Sequence, residues 1–194
     1  MRRIIVITGT PGVGKSSVSR VLASKINAHL ISIGELVKRE KIYSGVNKNR
    51  NTLIADIDKV SRRIREIMAE VSGDIIIEGH FAVDVVPLEE VTAVFVLRRD
   101  PEELKGILES RSYSERKIRE NLAAEILDVC LYDAIKRCGV EKVCEVNVTS
   151  RDVEDVVQEI MEVLNGTREL RVGIVDWLGK LESEGKLDEY LKGF

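Results

Sequence analysis

Gly9-Thr10-Pro11-Gly12-Val13-Gly14-Lys15-Ser16 sets glycines, a lysine and a hydroxyl at the G-x-x-x-x-G-K-S spacing near the start of a 194-residue chain. Arg3 to Thr8, just before it, reads Arg-Ile-Ile-Val-Ile-Thr, a short β-branched apolar run of the kind a buried parallel strand shows. Just after it, Lys15 to Ile26 places Val18, Val21, Leu22 and Ile26 on one helical face. Glycines let main-chain N–H groups turn inward, and the positive end of the following helix adds to the same anion site. In this strand–loop–helix setting the motif is a phosphate-binding loop, with Lys15 expected to reach the β and γ phosphates and the Ser16 hydroxyl to ligate magnesium. A glycine turn that only joined strand to helix would need neither residue. The expected chemistry is binding of a nucleoside triphosphate with Mg2+, then transfer or hydrolysis of its terminal phosphoryl group.

A second apolar run, Ile75-Ile76-Ile77, ends on Glu78 and is followed by Gly79-His80. A carboxylate at a strand end can be a solvated residue or a capping partner; beside a complete phosphate loop it stands where an acid would meet magnesium or its water shell. His80 is one of two histidines. It is either a satisfied structural residue or, two positions past the acid, an imidazole that orients water or carboxylate. His29, just before a short strand, carries no such context and reads as structural.

Further strand-type runs lie at Ala93 to Leu97 and Val143 to Val148. Leu53, Ile57, Val60, Ile64, Ile67 and Val71 recur at helical spacing and stop at Ser72-Gly73, and Asp152 to Leu164 forms another amphipathic helix closed by Asn165-Gly166. Strands alternating with helices predict βαβ crossovers, a mostly parallel sheet covered on both faces, and a ligand at the carboxyl ends of the strands. The expected class is α/β, a P-loop three-layer α/β/α fold, with one domain over residues 1–165. Residues 166–194, with Trp177 and a charged end, are expected to form a helical extension, either a hairpin packed on the core or a docking element.

The bulk numbers narrow the rest. Hydrophobic residues make up 44% and charged residues 32%, which describes a globular chain. No apolar run approaches the ~20 residues of a membrane span, and the start lacks the apolar stretch of a signal peptide, so a cytoplasmic protein is expected. Cys130, Cys138 and Cys144 match neither a zinc nor a redox spacing and read as buried thiols. A net charge of -3 argues against nucleic-acid binding over the whole surface, though local basic patches are compatible with it.

Beyond the loop, the segment Ile31-Ser32-Ile33-Gly34-Glu35-Leu36, the run Val94 to Arg98, and Arg111-Ser112-Tyr113-Ser114-Glu115-Arg116-Lys117-Ile118-Arg119-Glu120-Asn121 with Ala124-Glu125-Ile126 complete a pattern. It resembles the adenylate-kinase-type P-loop kinases, and more narrowly the isoenzyme-6 adenylate kinase family, archaeal type, small NTPases of ribosome assembly. The likeness covers roughly residues 3 to 164. It implies a five-stranded parallel sheet, ATP phosphates held by Gly12, Val13, Gly14, Lys15, Ser16 and Ser17, a nucleoside-monophosphate arm over about 31–53, and a short lid over about 110–120. It also implies Arg111 as a guanidinium clamp on the transferring phosphoryl, Glu78 and His80 as the family's acid-x-His pair, magnesium at Ser16 and Glu78, and a monomer. Substrate contacts would fall on Ser32, Gly34, Lys38 and Arg39.

The chain departs from that pattern at definite places. The acid is Glu78 where the family more often has Asp. Gly79-His80-Phe81-Ala82 lacks the arginine that grips AMP in ordinary adenylate kinases, Lys38 fills a slot usually held by arginine, and Ile107 stands where an arginine commonly stacks on adenine. Two functions follow. One is transfer of phosphoryl from ATP to AMP or another nucleoside monophosphate, accompanied by ATP hydrolysis. The other is an ATPase switch acting on a small-subunit platform ribosomal protein and rRNA. Lys38, Arg39, Lys41, Lys48 and Arg50 in the arm, with Arg111, Arg116, Lys117 and Arg119 in the lid, would make a positive rim or an ordinary solvated face.

Overall fold

A computed structural model describes residues 2–47 and 52–191. Five strands, β1 (Ile4–Thr8), β2 (His29–Ser32), β5 (Ile75–Glu78), β6 (Ala93–Arg98) and β7 (Val143–Asn147), form one sheet in the order β2-β5-β1-β6-β7, and every pairing is parallel. A second, two-stranded antiparallel ribbon pairs β3 (Tyr43–Asn47) with β4 (Thr52–Ala55).

Strand alternation sends side chains to two separate cores. Ile5, Ile7, Ile76, Phe95, Leu97 and Val146 pack on one face, with α1 (Lys15–Ile26), α5 (Pro101–Ser110), α6 (Glu115–Ile126) and α8 (Val153–Leu164) supplying the cover. Ile4, Val6, Ile75, Ile77, Val94 and Val96 pack on the other, under α2 (Ile33–Arg39), α3 (Ile57–Glu70), α4 (Ala82–Val85) and α7 (Val129–Cys138). The three-layer α/β/α architecture follows from that period-two split. After α8 the chain returns as α9 (Trp177–Ser183) and α10 (Leu187–Leu191), which bury Trp177, Leu181 and Tyr190 in the first core.

The periodic pattern that begins at Leu53 does not begin a helix there. Leu53 belongs to β4, paired with Val46, and α3 starts only at Ile57, after Asp56 caps it by accepting the Lys59 N–H at 3.2 Å. The cap and the cross-strand ladder override an apolar spacing that happened to be helical. His29 opens β2 and does not precede it. No helix among the described residues is long and apolar enough to cross a membrane.

Candidate active site

All five strands run the same way, so their carboxyl ends share one edge of the sheet. The register sets Glu78 between Ile7 of β1 and Ser32 of β2, and β1 leads straight into the glycine loop. Gly9 takes φ 136, and a Cβ there would lie 2.5 Å from the Leu97 carbonyl oxygen. Gly14, at φ 107, is the left-handed N-cap of α1. The loop thereby aims the unpaired amides of the first helical turn at the strand ends.

Lys15 is buried and donates to the Gly9 carbonyl at 2.7 Å and the Thr10 carbonyl at 3.0 Å. Desolvation lowers its pKa, against the opposing pull of Cys130, Glu78 and Glu125. Ser16 and Ser32 both donate to one oxygen of Glu78, at 3.2 and 2.6 Å, and Glu78 is 5% exposed. Two hydroxyls and a carboxylate beside the loop are hard oxygen donors, the set Mg2+ takes when substrate phosphate completes its shell.

His80 sits at the exposed rim, its ring packed edge-on to Phe81 with centroids 4.8 Å apart. Desolvation by the atoms packed around the ring, with repulsion from Lys15 and Lys117, lowers its pKa to about 4 although the residue keeps an exposed edge. At neutral pH the imidazole is uncharged and a weak base. Arg111 caps the end of α5, exposed, with its charge close enough to depress both Lys15 and Arg99. Ser17 is exposed on the first turn of α1. Val13 is buried, and its carbonyl accepts from the Arg99 guanidinium at 3.3 Å.

Of the residues assigned to the monophosphate, Ser32 and Arg39 line a cleft of about 330 Å³ that follows β2 from Ser32 back to His29, walled by Glu35, Arg63 and Val71. Lys38 and Gly34 are exposed outside that lining, and a Cβ on Gly34 would meet nothing within 4 Å. Lys48 and Arg50, part of the basic rim, lie outside the described residues. Arg63 and Arg99 stand outside the residues named from the sequence, and Glu125 entered there only within the run Ala124-Glu125-Ile126, with no role. A glutamate at position 125, in helical register with the buried Ile118 and Leu122, is the one that periodicity could have flagged.

A family model described as AAA domain matches residues 5–128. A protein of Methanocaldococcus jannaschii named "Putative adenylate kinase" is 41% identical over 176 residues, covering 91% of this chain and 93% of its own. One of the same name from Methanosarcina barkeri is 39% identical over 184 residues, at 90% and 97% coverage. Among solved structures, shikimate kinase from Bacteroides thetaiotaomicron superposes with a TM-score of 0.54 at 17% identity, over 84% of this chain and 98% of its own, a likeness of fold alone. The chain belongs to this family of archaeal P-loop nucleotide kinases.

Proposed function

We propose that the chain transfers the γ-phosphoryl group of ATP to AMP or another nucleoside monophosphate, and hydrolyses ATP when no acceptor is bound. The observation that carries this reading is the convergence of Ser16 and Ser32 on Glu78. It ties the ATP-side helix and the start of the monophosphate arm to one carboxylate. The relatives' shared name supports the same acceptor.

In this reading Ser16 and Glu78 would hold a magnesium ion, which would neutralise developing charge on the phosphoryl oxygens. Lys15 leaves the loop carbonyls for the β and γ phosphates. Arg111 comes down from the lid segment onto the transferring group, and Ser32 and Arg39 position the acceptor in the cleft. The acceptor's phosphate oxygen forms a bond to the γ phosphorus as the bond from that phosphorus to the β–γ bridging oxygen breaks, and ADP leaves. For hydrolysis, neutral His80 accepts a hydrogen bond from the attacking water; with its pKa about 4 it orients the water better than it removes the proton.

Incubation with Mg-ATP, with and without AMP, separates the activities. ADP that appears without phosphate, and only when AMP is present, is transfer; phosphate without AMP is hydrolysis. If neither product formed, the reading would fail.

A second reading, in which the same site serves as an ATPase switch on a ribosomal protein and rRNA during small-subunit maturation, is favoured by the run Gly79-His80-Phe81-Ala82, which lacks an AMP-gripping arginine. Arg39 and Arg116 in the basic rim pair with Glu40 and Glu120, which moderates the field offered to RNA. Capture of rRNA from a lysate in the ATP state and not in the empty state would support it; equal capture in both states would refute it.

A further inference from the structure

Glu125, on α6, is 1% exposed and serves no step of the proposed reaction. A carboxylate at that depth is tolerated only when its oxygens are paired. One oxygen accepts from the Arg98 Nε at 2.8 Å, the Arg99 main-chain N–H at 3.1 Å and the Trp177 indole N–H at 3.2 Å. The other accepts from the Thr10 hydroxyl at 2.6 Å. Thr10 lies inside the phosphate loop, and its carbonyl holds Lys15.

A continuous chain of hydrogen bonds therefore runs from Trp177 through Glu125 and Thr10 to Lys15. The segment after α8 is fastened around it at several points. The Ile174 N–H donates to Glu145 at 2.7 Å, Lys180 pairs with Asp100 at the N-cap of α5, and Lys186 reaches Glu102 at 2.5 Å. These contacts join the extension to β7 and to the start of α5, and the Trp177 indole joins it to α6.

The Thr10 hydroxyl is the donor on the second Glu125 oxygen, so the pairing that keeps this carboxylate buried runs through the phosphate loop itself. To reach phosphate, Lys15 must leave the Gly9 and Thr10 carbonyls, so the loop is disturbed at the residue Glu125 holds. We propose that Glu125 is a positioning residue for the phosphate loop, and that the C-terminal extension, through Trp177, keeps its carboxylate in place and sets how tightly the loop grips nucleotide. This rests on ATP occupying the loop.

Trp177 is the only tryptophan in the chain, so its intrinsic emission reports on this junction without any variant. ATP is titrated into the full chain while emission is recorded, with binding followed independently by equilibrium dialysis. Emission is expected to change in step with ATP bound. Trp177→Phe, which keeps an aromatic ring and removes the N–H, and Thr10→Val are each expected to weaken ATP binding about tenfold, the scale of one hydrogen bond to a charged group. Thr10→Ser is expected to restore parent affinity. Dialysis that shows ATP bound while emission stays unchanged, or variants that bind like the parent, would overturn the proposal and leave the nucleotide reading standing. Dialysis that shows no ATP bound would overturn both.

Discussion

Ser16 and Ser32 donate to the same oxygen of Glu78, but the segments behind them are built in different ways. The phosphate loop is pinned on every side: Gly9 against the Leu97 carbonyl, Thr10 against Glu125, Val13 under Arg99, and Lys15 folded onto loop carbonyls. The arm is a short helix and a two-stranded ribbon that leaves Tyr43, Val46 and Ile54 exposed. A two-stranded ribbon has little stability of its own. On the proposed reading, the loop backbone is held ready for a triphosphate, with Lys15 alone having to turn onto it, and the less tethered arm is the part that would close on an acceptor.

On the same reading, loss of Lys15 should act on turnover, and substitutions in the arm on acceptor affinity. Lys15→Ala should show the largest effect, with both ADP formation and phosphate release falling by about a thousandfold, as when a cation or donor aimed at developing charge is lost. Turnover at the parent rate would break the comparison at its firm side. His80→Ala should lower phosphate release without AMP by about a hundredfold, the scale of a misplaced attacking water, and leave ATP binding in dialysis near the parent value. Hydrolysis at the parent rate would remove His80 from the site.

On the arm, Arg39→Ala should raise the KM for AMP about tenfold and leave phosphate release without AMP unaltered, because Arg39 lines the cleft. Lys38→Ala should do less. The reverse ranking would place the acceptor outside that cleft.

The smallest expected effect concerns acid stability. Burial alone would raise the pKa of Asp74, but hydrogen bonds from Arg3 outweigh it and hold the carboxyl below its ordinary 3.8. A group whose folded pKa is lowered contributes stability that is present above the unfolded pKa and is lost as pH falls through the folded one. Asp74 ties β5 to β1, the strands that carry Glu78 and the loop. Asp74→Asn should cost about 1 to 2 kcal/mol at neutral pH by thermal unfolding, with the deficit shrinking once the pH drops below 3.8. On the arm side Arg63 holds Glu40 below its ordinary pKa by hydrogen bonding, but that carboxylate is 27% exposed against 15% for Asp74. Glu40→Gln should accordingly cost less, and equal costs would erase the contrast between the two halves.

The parallel sheet and the loop were legible in the linear order because both depend on local chemistry. β-branched runs ending in glycine turns specify buried strands, and a lysine and serine at motif spacing specify the anion site. Glu78 could be picked out because it ends a wholly apolar strand. The ribbon over β3 and β4 was hidden by a helical spacing that ran from Leu53 into α3, where the cap at Asp56 and not the periodicity decided the boundary.

Residues 9–16 carried in themselves the turn, the charge and the hydroxyl of a phosphate site, since those properties belong to side chains and backbone freedoms within one short stretch. Which distant groups stand beside that stretch was decided only by packing. Strand register sets Ser32 across from Glu78, and burial against α6 and the C-terminal extension brings Glu125 and Trp177 to Thr10 from 115 and 167 positions away along the chain. Contacts of such separation arise when apolar faces are buried together and their polar groups must find partners, a condition that exists only once the chain has folded.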